Sequence, residues 1–462
     1  MYHKKIHIHF VGIGGIGMSG IAKILKNQGY NISGCDLDIE QRSIKELKKI
    51  GCEIIYGHNT QLCNDSSIDI LVYSSAIKLS NPEIISAQQR GIPTIPRALM
   101  LAELMRTKYS IAIAGAHGKT TTTSMISHIL IEAQMDPTVI IGGHLKNISE
   151  NAQFGKGDFL VAETDESDRS LELLKPTLAI VTNIDLEHLE TYKDLDDIKE
   201  TFKKFLNNLP FYGKAILCID DPEIRSILPL AHIKTLKYGI ENQADTYARD
   251  INLLPTHSTY NLFNKNEFLG EIHINMPGKH NVLNSLAAIT LCLDLEISFE
   301  TIKNSLKNFK GIDRRFSFNG IFKGAEIFDD YGHHPIEILN TLHVARKRAK
   351  EKLHVVFQPH RFTRTHKLWN QFLEIFLNTK IDNLIITDIY PASEAPIENI
   401  TSENFVKALK EINPDYPVTY VPLDKEFANI IKEINNIANE NDLLLLQGAG
   451  KINLIATKLM KN

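Results

Sequence analysis

The sequence predicts an α/β protein built from three doubly wound domains, and three observations carry the prediction. Short β-type apolar runs alternate with helix-patterned segments along almost the whole chain. Two glycine-rich loops, Gly12–Gly17 and Gly115–Gly118, each join such a run to a helix. At 462 residues the chain also exceeds what one core serves. The expected domains are 1–107, 108–312 and 313–462.

The first domain is expected to hold strands at Ile6–Val11, Tyr30–Gly34, Glu53–Gly57, Ile68–Ser74 and Thr94–Ile95, closed by a helix over Arg97–Arg106. Strands that alternate with helices imply a mostly parallel sheet. The second domain opens with a strand at Ser110–Ala114. It continues through strands near Phe159–Glu163, Leu178–Thr182, Ala215–Ile219 and Thr235–Tyr238, a β-rich stretch at Ala244–Ile274 and a helix over His280–Leu293. Gly311, in the segment Phe309–Phe316, places the next boundary near 312. The third domain repeats the alternation, with strands at Ala325–Asp329, His354–Phe357, Asn383–Asp388, Val418–Tyr420 and Asp442–Leu446. Its helices fall at Ile336–Lys350, Leu368–Leu377 and Asp424–Ala438.

Composition narrows the function classes. Hydrophobic residues make up 43% and charged residues 23%, as in ordinary globular proteins. A net charge of −4 leaves no electrostatic footprint for nucleic acid. No run approaches the roughly 18 apolar residues of a membrane span, and the N-terminus has no signal-peptide core. The expectation is a cytoplasmic protein without a membrane partner. Cys35, Cys52, Cys63, Cys218 and Cys292 are odd in number and lack a C-x-x-C pair, so they read as reduced thiols rather than a disulfide or zinc framework.

The second glycine loop suits a nucleoside triphosphate. Gly115 and Gly118 let backbone N–H groups of Ala116 and His117 approach phosphate oxygens. Lys119 reaches the terminal phosphates, and the hydroxyl of Thr120, beside Thr121, can hold Mg²⁺. Gly115 stands closer to Gly118 than the general phosphate-loop pattern has it, and a plain strand–turn–helix is the alternative. The first loop, with Gly12, Gly14, Gly15 and Gly17 followed by Asp36, fits the dinucleotide fingerprint. It serves a UDP-sugar pyrophosphate equally well, with Asp36 accepting from ribose or uracil. A tight packing turn is the alternative here.

Further polar groups gather at the ends of expected strands, where open parallel sheets bind ligands. Glu163 is the first choice for a Mg²⁺ ligand beside the phosphate loop. His188, with Asn183 nearby, is a second metal-site candidate, and Lys199 reads as a phosphate-positioning or a surface lysine. In the third domain Asp329-Asp-Tyr331-Gly-His333-His-Pro335 joins a strand to a helix, with Pro335 suited to the first turn. Arg361 and Arg364 can form a fork for a carboxylate or phosphate, or surface ion pairs. With the turns after Asp388 and Leu446, these groups suggest one small-ligand pocket.

Taken in order, Ile8–Gly20, Ala114–Thr123, Glu163–Asp168, Pro277–Asn281 with Asn284, Asp329–Pro335 and Gln358–Arg361 resemble the Mur ligases, nearest to the alanine-adding branch. The resemblance implies a Rossmann-like UDP-binding N-terminal domain, a P-loop ATPase centre and a Rossmann-like amino-acid domain that closes over it. It further implies an ATP-dependent, amide-forming activity that joins L-alanine to the lactyl carboxylate of UDP-N-acetylmuramate through an acyl phosphate. Gly115 to Thr121 would cradle ATP, and Thr120, Glu163 and His188 would hold Mg²⁺. His280 and Asn284 would lie near adenine, and Arg314 or Arg315 would reach ATP. The Gly12–Gly17 loop, Asp36, Ser74 and Ser75 would hold the UDP-sugar. Tyr331, His333, Arg361 and Arg364 would receive alanine, with His333 either moving the amine proton or positioning the amine. A monomer or weak homodimer is expected.

Three positions depart from the family pattern: Ala116 for threonine, Ser393 for glycine, and Lys451 for aspartate, a charge reversal. Several relatives carry a carbamylated lysine, for which Lys199 is the position to inspect. The rival readings are a ligase that attaches a whole tripeptide to the same sugar, an NAD-dependent oxidoreductase built on Gly12–Gly17, and a nucleotide-dependent switch without catalysis.

Overall fold

Continuously buried apolar runs build the central strands, and their parallel register sets where their polar ends collect. The computed structural model describes residues 6–58, 65, 67–142, 152–188, 191–230, 232–392 and 394–460, so Cys63 and Ser393 lie outside the described residues. The chain divides into two compact units. One comprises Met1–Ile251, Thr259–Ile274 and Asn281–Lys310; the other comprises Asn252–Ser258, Asn275–His280 and Gly311–Asn462.

The first unit contains a five-stranded sheet in the order Glu53–Tyr56, Asn31–Asp36, His7–Val11, Ile70–Tyr73, Thr94–Pro96. Every pairing in it is parallel. A ten-stranded sheet follows, with Tyr109–Ala114 between Leu178–Val181 and Phe159–Glu163, all three parallel. Register pairs Ala114 with Val181 and Ile113 with Glu163, so the three strands deliver their C-terminal residues to one edge.

The second unit holds a six-stranded sheet in the order Ser317–Phe322, Ala325–Asp330, Leu443–Gln447, Leu353–Phe357, Asn383–Ile386, Val418–Tyr420. Phe328, Val355, Phe357, Leu384 and Leu445 belong to one apolar cluster, and their neighbours Ile327, Val356, Ile385 and Leu444 to another. Adjacent residues therefore serve opposite faces, as a sheet covered on both sides requires.

The expected strands appear within a residue or two of their places, and three differences have physical causes. Ser317–Phe322 is an antiparallel edge strand where a junction was expected, and its half-exposed pattern lacks an apolar run. The helix expected from Asp424 begins at Ala428, because the Asp424 carboxylate accepts from the N–H groups of Glu426, Ala428 and Asn429 and makes a turn of the segment. The helix Phe299–Asn308 was not expected; it begins at a side-chain cap, Ser298. Among the described residues no helix is long and apolar enough to cross a membrane.

Candidate active site

The phosphate loop leaves the edge of the ten-stranded sheet and enters the helix Lys119–Glu132. Gly115 has φ +130, and a Cβ there would lie 2.2 Å from Thr182 Oγ1. Gly118 has φ +82, and a Cβ would lie 2.4 Å from Asn284 Oδ1. Neither position accommodates a side chain. Asn183 fixes the turn: its Oδ1 accepts from His117 N at 2.8 Å and its Nδ2 donates to His117 O at 3.0 Å. The ammonium of Lys119 donates to Ala116 O (3.0 Å), Glu166 Oε1 (2.8 Å) and Gly115 O. Burial works against that charge, but Glu166, Glu163 and Glu187 outweigh it and keep Lys119 protonated. Thr120 Oγ1 donates to Glu163 Oε1 at 3.0 Å, and Glu163 Oε2 accepts from Gly142 N at 2.8 Å.

The first glycine loop is braced from within. Gly12 N and Ile13 N donate to Cys35 O, and Gly14 N donates to Asp36 Oδ2 at 2.8 Å. Gly15 precedes the helix Ile16–Asn27, whose N-terminus has no side-chain cap. Arg97 lies against Gly17, its Nη1 3.1 Å from where a Cβ would stand, and its Nη2 donates to Asp165 Oδ2 at 3.3 Å. Ser74 closes the other side, 3.3 Å from the Cβ position of Gly12.

In the second unit, Tyr331, His333, His360 and Tyr390 form a chain of ring contacts, each neighbouring pair 5.4 or 5.5 Å apart. Arg364 Nη1 lies 3.2 Å from His360 Nδ1, and Arg361 Nη1 lies 3.7 Å from Glu394 Oε1. Asp330 organises the turn: its carboxylate accepts from Gly332 N, Gln447 Nε2, Thr341 Oγ1 and Phe316 N.

Comparison with known proteins gives this geometry a family. Residues 7–109 match the Mur ligase family catalytic domain, 113–292 the Mur ligase middle domain, and 314–450 the Mur ligase glutamate ligase domain. A UDP-N-acetylmuramate–L-alanine ligase of Syntrophus aciditrophicus is 45% identical over 100% of this chain and 94% of its own length. The chain belongs to the Mur ligase family. A second relative of the same name, from Geotalea daltonii, is 48% identical over 98% of this chain and 97% of its own. The crystal structure of a UDP-N-acetylmuramate–alanine ligase from Thermotoga maritima superposes with a TM-score of 0.81 at 26% identity, covering 99% of this chain and 98% of that one.

The expected site residues of this Mur ligase have the following surroundings. The Asp36 carboxylate accepts from Gly14 N and Asp38 N and so braces the loop. His188 sets its Nε2 3.5 Å from Glu166 Oε1 and 3.5 Å from Glu187 Oε2. Lys199 is held by Asp196 at 2.7 Å and Glu223 at 3.2 Å. Those bonds raise its pKa, which disfavours the neutral amine that carbamylation needs. Arg361 is paired with Glu394 and Arg364 with His360. Desolvation, with Arg364 and His360, pulls the His333 pKa to about 3 against the opposing charge of Glu337, so its imidazole is neutral. Desolvation, then Arg315, brings His280 to about 4. Lys451 is exposed on the turn after Gly450.

Asn284 sits against Gly118, and Ser75 lies in the exposed turn after Ser74. Sequence reasoning missed Arg97, Asp165, Glu166 and Glu187 as members of the two loop environments. Glu166 and Asp165 lay in plain view in the acidic run, but nothing local tells which carboxylate faces a lysine.

Proposed function

We propose that this Mur ligase joins L-alanine to the lactyl carboxylate of UDP-N-acetylmuramate, with ATP giving ADP and phosphate. The supporting observation is a set of relatives, 45–48% identical over at least 98% of the chain, that share the name of the alanine-adding enzyme. A murein peptide ligase from Psychrobacter arcticus matches at 23% identity, a likeness of fold.

In this reading the backbone of Gly115–Thr121 cradles the ATP phosphates and Lys119 meets the transferring group. His280 and Asn284 serve the adenine. Arg314 or Arg315 serves ATP; Arg314 donates to Gly448 O at 2.7 Å and Gly450 O at 2.9 Å, and Arg315 Nη1 lies 3.8 Å from Glu337 Oε1. Thr120 and Glu163, already 3.0 Å apart at the strand edge, would hold Mg²⁺ together with His188; the ion supplies charge neutralisation during phosphoryl transfer. The lactyl oxygen displaces ADP from the γ-phosphorus and becomes an acyl phosphate. The alanine amine then attacks the acyl carbon and phosphate leaves. Gly12, Gly14, Gly15, Gly17, Ser74 and Ser75 hold the UDP-sugar, with Asp36 acting through Gly14. Tyr331 and His333 shape the alanine pocket, and Arg361 and Arg364 face its carboxylate. Two of the three substrates, ATP and the UDP-sugar, are nucleotides, which supports a cytoplasmic reaction.

An isotope-transfer experiment tests the reading. With ¹⁸O in the lactyl carboxylate, one label should appear in the released phosphate. Unlabelled phosphate would mean plain ATP hydrolysis and end the proposal.

A further inference from the structure

We infer that His9, Cys35 and Glu83 form a zinc site in the five-stranded sheet, a structural centre that ties the helix Pro82–Gln89 to the two strands bearing the first glycine loop. None of the three is a residue assigned to the UDP-sugar, ATP or Mg²⁺.

Strand register brings the donors together. His9 pairs with Ser33 and Val11 with Cys35, so these four side chains share one face of the sheet. Ile84 and Ala87 of the helix Pro82–Gln89 join Val11 and Cys35 in one apolar cluster, and Glu83 stands in the first turn of that helix. His9 and Cys35 are 0% exposed and Glu83 is 1% exposed. One imidazole nitrogen, the thiol sulfur and one carboxylate oxygen lie within 4.8 Å of one another, with His9 Nε2 3.9 Å from Glu83 Oε2. Donors about 2.0–2.3 Å from a tetrahedral ion stand roughly 3.3–3.6 Å apart, so closing by about an ångström completes the site. Sulfur, imidazole and carboxylate together suit Zn²⁺, whereas a sulfur donor counts against Mg²⁺ and Ca²⁺.

His9 supplies the independent observation. Its Nε2 is buried and has no hydrogen-bond partner among the described residues. A chain of hydrogen bonds to the surface fixes which nitrogen carries the proton. The Asp65 carboxylate accepts from the Ser67 hydroxyl at 2.8 Å, so Ser67 Oγ in turn accepts from His7 Nδ1 at 2.8 Å. The other nitrogen of the neutral His7 ring, Nε2, accepts from Ser33 Oγ at 2.7 Å. With its one proton used there, Ser33 accepts from His9 Nδ1 at 2.9 Å. Burial holds the His9 pKa well below its ordinary value, against the pull of Glu83, so the ring is neutral and the lone pair of Nε2 is bare. That lone pair faces the Glu83 carboxylate. Two electron-rich groups opposed in a dry core are unfavourable, and a cation between them removes the conflict. The Ser33 contact is also the outer hydrogen bond by which a metal-ligating histidine is oriented.

Cys35 completes the set. Burial, with Glu83 adding to it, pushes its pKa up, so without an ion it is a thiol, its Sγ 3.4 Å from His58 Nδ1. Zinc takes the place of the thiol proton: the S–H bond breaks, a sulfur–zinc bond forms, and one proton per ion is released, with His58 placed to receive it. Thiolate and carboxylate then balance the two positive charges of the ion, and the buried centre is neutral overall. The Cys35 carbonyl accepts from Gly12 N at 2.9 Å and Ile13 N at 3.1 Å, so an ion that fixes Cys35 also fixes the start of the first glycine loop. The reading of Cys35 as a plain reduced thiol gives way here. No C-x-x-C pair marks the site because its donors come from three separate elements.

The test is the full chain produced in minimal medium with cobalt in place of zinc. Tetrahedral Co²⁺ on a thiolate absorbs strongly in the near ultraviolet, and Co²⁺ among oxygen donors does not. The parent should carry one cobalt per chain and show that band, and Cys35→Ser should lose it. Glu83→Gln should hold cobalt about tenfold or more weakly, as one charged donor is gone. A parent without cobalt, or a band that survives Cys35→Ser through one of the other cysteines, overturns the inference. Circular dichroism checks folding. X-ray absorption of the zinc-loaded parent needs no variant: one sulfur at about 2.3 Å beside nitrogen and oxygen at about 2.0–2.2 Å is expected, and a shell without sulfur overturns the inference. Removing the ion with dipicolinate should lower the urea midpoint of the parent and leave that of Cys35→Ser in place; equal shifts in both would overturn the structural role.

Discussion

Gly118→Ala is the sharpest perturbation of the phosphate loop. The residue holds φ +82, and the added methyl would lie 2.4 Å from Asn284 Oδ1 and 3.3 Å from its Cγ. Left-handed backbone costs an alanine about 1–2 kcal/mol. Asn284 is buried and its Oδ1 accepts from Thr122 Oγ1, so pushing it aside sacrifices a hydrogen bond worth about 1 kcal/mol. The free loop can relax, whereas phosphate binding requires its original shape, so the sum falls on the bound state. A total of about 2–3 kcal/mol predicts ATP-analogue binding weaker by roughly 30- to 140-fold in calorimetry. Gly91→Ala is the control: φ is +69, with nothing within 4 Å of the new Cβ, so it should leave ATP affinity unchanged. If Asn284 is the obstruction, Asn284→Ala should harm the Gly118→Ala chain less than the parent. A Gly118→Ala chain that binds within about threefold of the parent, or strict additivity of the pair, refutes the reasoning.

Three further outcomes are expected. Arg97→Ala, which frees Asp165 and the Gly17 face of the first loop, should raise KM for the UDP-sugar severalfold with little change in KM for ATP; the reverse pattern in steady-state kinetics would contradict its placement. His333 protonates near pH 6.5 when unfolded and only near 3 when folded, so the unfolded chain holds more protons between those values and stability rises with pH across that window. His333→Asn should flatten that rise in urea midpoints measured at pH 4.5 and pH 6.5, and an unchanged slope would show that His333 titrates normally. Asp330→Ala strands four donors that converge on one buried carboxylate, and should destabilise the second unit by about 3 kcal/mol or more in urea unfolding. A loss below about 1 kcal/mol would show those donors finding other partners.

What was legible in the sequence was what local chemistry dictates. Ser110–Ala114 and Phe159–Glu163 announce buried strands because every residue between their ends is apolar or small, and the glycines of both loops mark turns no other residue makes. The turn at Gly115–Gly118 and the strand that brings Glu163 beside Thr120 were legible from strand ends alone. The rest depends on contacts far apart in sequence. Arg97 meets Asp165 across 68 positions, Lys119 meets Glu166 across 47, and Thr122 meets Asn284 across 162. Asp36 has the fingerprint position of a ribose ligand, yet the nearest donor to its carboxylate is Gly14 N. The protonation state of His333 depends on burial and on Arg364. Neither is visible from residues 329–335.

The central claim is the identity of the amine that is joined, and one competition measures it. The chain is supplied with ATP, Mg²⁺ and UDP-N-acetylmuramate, with L-alanine and L-Ala-D-Glu-diaminopimelate present together at equal concentration, and the product is weighed by mass spectrometry. The expected product is the sugar nucleotide plus one alanyl residue. A product carrying the whole tripeptide would contradict it.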